Sequence, residues 1–328
     1  MKVEVHDTLD GVGRDAWDAV LAGARVRAPF LGWAWQHAWA AVFADGRRLE
    51  VRRVADAAGA TVGLLPLYEV APGDLELVGG ADVSDYLDLI ALAGREEEAW
   101  AALLHARAAD TSRWTLHAVP AASPTVAALP GRAAAVGLAV DLRVEERCPV
   151  LDLPATWDAY LARLSSKHRH ELTRKLRRFA RDVPSGRAVR VTGPAVDARL
   201  DDFLALHRQS RAGKARFMDA RMERFFRRVI PALAARDAAS LWFLEAPESP
   251  LATFVTLEWD GVVGLYNSGF RPDRAALSPG LVLLAHLIQD AIARGRRRFD
   301  FLRGEERYKY EFGPVPEDVY TVTVRRVS

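Results

Sequence analysis

The sequence predicts a mixed α/β protein made of two copies of one arrangement of strands and helices. Three observations carry that expectation. Strand-like and helix-like runs alternate along all 328 residues, the pattern of layered α/β folds. Antiparallel hairpins are interspersed with strand–helix–strand crossings, so the sheets should be mixed. The order of elements in the first half recurs in the second, although no residue-level repeat is visible, and the length exceeds what one hydrophobic core ordinarily serves. The expected organisation is therefore an N-terminal domain over 1–154, a linking basic helix over 155–186 and a C-terminal domain over 187–328.

In the first half, "LGWAWQHAWAAVF" (31–43) predicts a tryptophan-rich helix after a mixed opening segment. "RLEVRRVAD" and "TVGLLPLYEV" predict two strands of a hairpin joined around 57–60. "LELVGGADVSDYLDLIAL" predicts two short strands broken by a Gly-Gly and acidic turn. A helix over 96–109, a strand "RWTLHAVP", a helix over 124–136 and a strand "LRVEERCPVLDL" complete the half.

A long helix is then expected over 155–182, with Leu161, Leu164, Leu172, Leu176 and Phe179 at helical intervals and "VPSG" as its stop. The second half continues with a strand at 187–192, helices at 196–211 and 219–235, and the strand "SLWFLEA". "LATFVTLEW-DG-VVGLYNSGF" predicts a hairpin on an Asp-Gly turn. A helix over 279–294, a strand "RFDFLR" and a last strand "VYTVTVRRV" follow.

Composition excludes several function classes. The net charge of +2 provides no global polybasic field, so no DNA partner is expected. The single cysteine, Cys148, cannot form an intrachain disulfide, lacks metal-ligand spacing and reads as a small buried hydrophobe in a reducing compartment. No secretory leader and no run of ~18 apolar residues is visible, so no transmembrane segment is expected and the cytoplasm is the default location. His168 and His170, two residues apart on a helix, do not converge on a metal, and no metal is expected.

Four segments stand out. In "LSPGLVLLAHLIQDAIARG", Ser278 can N-cap a helix, Pro279 suits its first position, Gly280 permits close backbone approach and Gly295 is a C-terminal stop. Such a start is either an ordinary capped helix or, facing a cleft, an anion site. In "FDFLRGEERYKYEFG", Asp300 falls on an otherwise apolar strand face, and Arg303, Glu305, Tyr308 and Lys309 crowd the strand's carboxyl end, where open α/β sheets bind ligands; the alternative is a solvated loop. The stretch 165–182 carries seven cations, among them Arg169 and Lys175, either as a solvated face or as a contact for an anionic substrate, CoA or RNA. No stacking aromatics are interleaved with these cations, which disfavours RNA. "ADVSDYLDL" places Asp85 and Tyr86 at a strand edge, where they read equally as a polar turn.

The stretch from Gly264 to Gly313 resembles the C-terminal pattern of the GNAT-like acyltransferases of the BioF2-like (CelD-like) group, related to the FemAB peptidoglycan aminoacyltransferases. The shared pattern is an aromatic strand, a Ser-Pro-Gly helix start, a Gly-terminated helix, a Phe-Asp-Phe strand and a Gly-x-Glu-x-Tyr-Lys-x-x-Phe-Gly element. "LSSKHRHELTRKLRRF", "LGWAWQHAWAAVF" and "SDYLDLI" resemble further stretches of that family.

The resemblance implies two tandem GNAT-like N-acyltransferase domains with the site in the cleft between them, towards which Asp85 and Tyr86 would face. It implies acetyl-CoA or another acyl-CoA as co-substrate, held through Ser278, Gly280, Leu281 and Arg274 or Arg271. The usual Arg/Gln-x-x-Gly-x-Gly/Ala loop is missing from this sequence. Within such a site, Asp300 and Glu305 are candidate bases and Tyr308 a candidate acid for the leaving thiolate. Lys309 and Arg303 would orient an anionic substrate, with Arg169, Lys175 and Tyr266 as further substrate contacts, and backbone N–H groups around 266–269 would hold the oxyanion.

The function so implied is transfer of an acyl group to an amine or hydroxyl of a small molecule or surface-polymer precursor. Two alternatives remain open at this stage: a FemAB-like transferase using aminoacyl-tRNA, and a non-catalytic module for an anionic sugar or lipid-linked intermediate.

Overall fold

A computed structural model of the protein describes residues 1–107 and 113–327. The chain forms two compact units, Met1–Arg147 with Glu317–Ser328, and Cys148–Pro316. In chain order the first contains β1 (Lys2–His6), α1 (Arg14–Ala22), α2 (Trp33–Phe43), β2 (Leu49–Ala55), β3 (Thr61–Ala71), β4 (Asp74–Leu77), β5 (Ile90–Ala91), α3 (Glu96–Arg107), β6 (Arg113–Pro120), α4 (Pro124–Ala134) and most of β7 (Leu138–Asp152). The last two expected residues of α3, 108 and 109, lie outside the described residues. The second contains α5 (Trp157–Arg163), α6 (Ser166–Asp182), β8 (Arg187–Val191), α7 (Ala195–Ser210), α8 (Ala212–Phe217), α9 (Ala220–Ala234), β9 (Ala239–Glu245), β10 (Ala252–Trp259), β11 (Val262–Phe270), α10 (Pro279–Ala293), β12 (Arg298–Asp300) and α11 (Arg307–Tyr310), after which β13 (Val315–Arg326) begins.

The first unit's strands run β1-β2-β3-β4-β6-β13-β7, with β5 beside β3. The second unit's run from the end of β7 through β12-β11-β10-β9-β8. Strand pairing is mixed in both units: β4 and β6 are parallel, as are β11 and β12, while the hairpins are antiparallel. Parallel neighbours need a crossover, and the helix in each is α3 or α10. Each half ends in a strand that serves the other unit's sheet. β13 lies beside β6, pairing Val322 with Leu116, and the end of β7 lies beside β12, pairing Val150 with Asp300.

The hairpin of β10 and β11 turns on Asp260 and Gly261 at φ 45° and 74°, the left-handed pair that a two-residue turn demands. α10 is buried nearly all round. Val282, Leu283, Leu284, Leu287 and Ile288 are each no more than 1 % exposed, between the sheet and α6. A helix apolar on every side belongs in a core, and that core fixes where α10 starts. Gly295 ends it at φ 67°.

Two expectations need correction. The run 155–182 is two helices, because Leu164 is extended and the Ser165 hydroxyl accepts from His168 N at 3.2 Å, starting a new helix there. The Leu/Phe stripe still packs inward: Leu164, Leu172 and Phe179 are buried in the core around α10. The strand expected over 298–303 stops at Asp300, whose carboxylate accepts from Leu302 N at 2.8 Å and turns the chain, leaving Leu302 at φ 55°.

Candidate functional site

β11 and β12 run side by side for only three pairs, Val262–Arg298, Val263–Phe299 and Gly264–Asp300. β12 then ends, and Phe301 N turns to the Pro149 carbonyl. β11 continues to Phe270, so its edge beyond Gly264 has no partner strand on that side. A bulge disturbs the same stretch: Val255 pairs with Asn267 but Thr256 with Leu265, which makes Tyr266 the extra residue. Beyond the bulge the strand turns backbone groups away from β10. The Phe270 N–H donates to Ser210 Oγ at 2.7 Å, and the Ser268 carbonyl accepts from Lys214 Nζ. By the alternation of strand hydrogen bonding, Ser268 N–H points to that same open side.

The start of α10 faces this edge. Ser278 sits at φ 52°, ψ 48° and its hydroxyl makes no cap bond, contrary to the expectation from sequence. The physical reason is that Ser278 also closes the preceding 3₁₀ turn, Pro272–Leu277, in a left-handed conformation, whereas a side-chain cap needs extended backbone. Pro279 has no N–H, and the N–H groups of Gly280 and Leu281 have no partner within the described protein. A Cβ built on Gly280 meets nothing within 4 Å.

These parts enclose a cavity of about 590 Å³. Ser268, Gly269 and Phe270 of β11 form one wall and Ser278, Pro279, Gly280 and Leu281 another; Arg211 and Lys214 close it from α8, and Glu306, Arg307 and Tyr308 from the turn around α11. Phe254 and Phe270 make part of it apolar, as a pocket for an organic ligand requires.

The polar groups differ in state. Burial, and then the charge of Glu306, raise the Tyr308 pKa, so its hydroxyl stays protonated and no protein group bonds it. Lys214 Nζ donates to the Ser268 carbonyl and to Ser268 Oγ at 2.8 Å. Burial, followed by repulsion from Arg211, lowers its pKa to about 8. His207 on α7, buried behind β11, is 2.9 Å from Asn267 Oδ1, and burial together with Lys214 pushes its pKa down to about 4. It is therefore neutral and donates from Nε2, while its Nδ1 is buried without a partner. Arg211 and Arg307 are exposed at the cavity and pair with no carboxylate among the described residues.

Of the residues singled out from sequence, the cavity brings together Ser278, Gly280, Leu281 and Tyr308. The others lie elsewhere. Arg274 is exposed and paired with Glu248 at 3.2 Å. Asp300 is buried and bound to the backbone of Leu302. Glu305 accepts from Tyr310 Oη at 2.9 Å. Lys309, 3 % exposed, donates to the carbonyls of Arg303 and Gly304 at 2.8 and 2.9 Å and pairs with Glu306, while Arg303 contributes that carbonyl. Tyr266 stacks on Phe226 of α9, ring centroids 5.7 Å apart. Lys175 bridges Glu171 and Glu311 at 3.5 Å each, and Arg169 is exposed on α6. Asp85 and Tyr86 belong to the first unit, where Tyr86 is buried against Phe30. Sequence reasoning missed Arg211, Lys214, Glu306 and the side chain of Ser268, whose backbone lies in the 266–269 stretch expected to hold the oxyanion; the burial of Lys214 against the β11 edge has no local sequence pattern. Among the described residues, no group of three or more His, Cys, Asp or Glu could hold a metal ion, and no helix is long and apolar enough to cross a membrane.

Residues 166–310 match the family model of the acetyltransferase (GNAT) domain. Among solved structures, FemX superposes with a TM-score of 0.67 at 11% identity, over 100% of this chain and 98% of that one. The C-terminal domain of a putative lysylphosphatidylglycerol synthetase from Agrobacterium fabrum gives 0.61 at 13% identity, over 95% and 92%. L-PGS from Bacillus licheniformis gives 0.60 at 13% identity, over 95% and 91%. No curated protein matches the sequence. At these identities the likeness is one of fold: the protein has a GNAT-like α/β fold similar to that of FemX.

Proposed function

We propose that the protein transfers an acyl group from an acyl-CoA, acetyl-CoA being the simplest, to an amine of a small molecule or polymer precursor, with the cavity beside β11 as the transfer site. The observation that carries this reading is the parting of β11 from β12 after Gly264 and Asp300, which leaves a free strand edge next to a free helix start. A pantetheine amide can pair with that edge as an added strand, and the N–H groups of Gly280 and Leu281 suit the pyrophosphate.

The chemistry follows from the groups present. The amine attacks the thioester carbonyl as a neutral base and loses its proton to solvent at the cavity mouth. The N–C bond forms as the C–S bond breaks, and the thiolate takes a proton from Tyr308, which its raised pKa keeps protonated at rest and which regains a proton from solvent. Ser268 N–H is the candidate donor to the oxyanion. Proximity supplies much of the rate in such a site. One buried cysteine suits work in a reducing interior.

A second reading, transfer from aminoacyl-tRNA, draws on the exposed cations Lys167, Arg174, Arg177 and Arg181 along α6 and on the likeness to FemX. Thermal shift with acetyl-CoA, longer acyl-CoAs and uncharged tRNA separates the two. A ligand at ~100 Kd stabilises by about 2.7 kcal/mol. A rise in Tm with acyl-CoA supports the first reading; a rise with tRNA alone overturns it in favour of the second. Binding of acyl-CoA with no turnover of any amine would leave a binding module.

A further inference from the structure

Lys214 carries a charge that no ion pair among the described residues balances. Its Nζ donates only to neutral oxygens, the carbonyl and hydroxyl of Ser268, and no carboxylate pairs with it. Lys309, turned into the loop after β12, shows the usual solution, since it is paired with Glu306 at 2.9 Å. A half-buried cation without a counter-charge is costly, and such groups concentrate where a ligand completes them. The groups that face Lys214 do not remove the deficit. Arg211 repels it, Glu306 attracts it more weakly than that repulsion and is itself paired with Lys309, and His207 and Tyr308 are neutral.

We propose that the acceptor carries a carboxylate, seated on Lys214 and Ser268 with Arg211 at the cavity mouth. The proposal rests on the reading of this cavity as the transfer site. One unit of charge is missing inside the cavity, because Arg211 and Arg307 are exposed and screened by water while Glu306 and Glu311 are paired with Lys309 and Lys175, and a carboxylate supplies one unit. Ser268 Oγ accepts from Lys214, so its own proton is free for the second carboxylate oxygen. Phosphate groups are better served at the start of α10, where two backbone N–H groups point into the cavity. A substrate of this class would be an amino acid, or a peptide or sugar precursor bearing a free acid.

The test uses the whole protein without CoA. Wild type, Lys214→Met and Lys214→Arg are titrated calorimetrically with a panel of amino acids and their carboxamides, with inorganic phosphate as comparator. Acids should bind about tenfold or more tightly than their amides. That preference should fade as pH rises through about 8, where Lys214 loses its proton, vanish in Lys214→Met and persist in Lys214→Arg. Equal affinity for acids and amides, phosphate bound more tightly with the same dependence on Lys214, or no binding of any acid to the folded wild type would each overturn the proposal. Acetyl-CoA is titrated separately into the same three proteins. Its failure to bind wild type would sink the proposed donor and leave the carboxylate result standing by itself.

Discussion

Lys309 Nζ stands 2.9 Å from Glu306 Oε2 while also donating to the carbonyls of Arg303 and Gly304. The cation that looks from sequence like a substrate contact thus ties down the loop after β12. Lys309→Met keeps the stem but leaves buried carbonyls and a carboxylate without their donor, at about 1–3 kcal/mol for each unsatisfied group. Stability should fall by about 3 kcal/mol in denaturant unfolding, while turnover per folded molecule is retained. A stable Lys309→Met protein with a raised KM would return Lys309 to the substrate side.

Tyr308→Phe should behave in the opposite way. The hydroxyl has no hydrogen-bond partner among the described residues, so its removal should cost the fold little, and Tm should not move. Loss of the acid should lower kcat by ~10²–10⁴-fold with little change in KM. Single-turnover rates on acetyl-CoA measure this, and full activity would remove Tyr308 from the mechanism.

Gly280→Val places bulk in the cavity where a Cβ meets nothing in the protein. Unfolding should stay cooperative, and the Kd for acetyl-CoA should rise about tenfold or more as the helix start is blocked. Unchanged affinity in the folded variant would show that the start of α10 holds no phosphate.

Gly269 is constrained from the other side. A Cβ there would lie 2.6 Å from His207 N and 2.7 Å from Leu206 C, both backbone atoms that cannot swing aside. Gly269→Ala should force α7 off β11 and cost about 1–3 kcal/mol, as overpacking does. Thermal unfolding checks it, and a wild-type Tm would mean that the approach is looser than the structure has it.

In the first unit, His117 lies 3.3 Å from Glu145 Oε2 and 3.6 Å from Glu76 Oε1, and hydrogen bonds to these carboxylates raise its pKa to about 9. The folded state therefore holds the proton more tightly than the unfolded chain, whose histidine titrates near 6.5. This stabilisation is complete below about pH 6.5 and disappears as pH rises through about 9. The stability difference between wild type and His117→Gln, followed by chemical denaturation from pH 6 to 10, should shrink over that window. A flat difference would show that His117 is neutral in the fold.

Much of the frame was legible in the residues. Asp260-Gly261 announced its hairpin because few other pairs tolerate two left-handed residues, and α10 was bounded correctly by Pro279 and Gly295. Local chemistry could not show what lies far apart in the chain. Lys214 and Ser268 are 54 residues apart, and nothing in "RAGKARF" signals that the lysine folds over a strand edge. The cluster after β12 was legible as unusual, yet charge alone could not say which members turn inward. Tyr308 reaches the cavity while Lys309, its neighbour on a single helical turn, points into the loop. The break between α5 and α6 was missed because the leucine stripe continues through it in register.

The exchange of last strands reverses the order of manufacture. β6 leaves the ribosome with residues 113–120, yet the strand that covers its edge, β13, comes some two hundred residues later, so that Trp114 waits for Val324. The N-terminal unit is the first to be made and the last to be finished. Until then β6 presents bare amides and carbonyls to any passing strand, a hazard for aggregation during synthesis. A nascent chain of this protein halted midway should need a holdase that a released one does not.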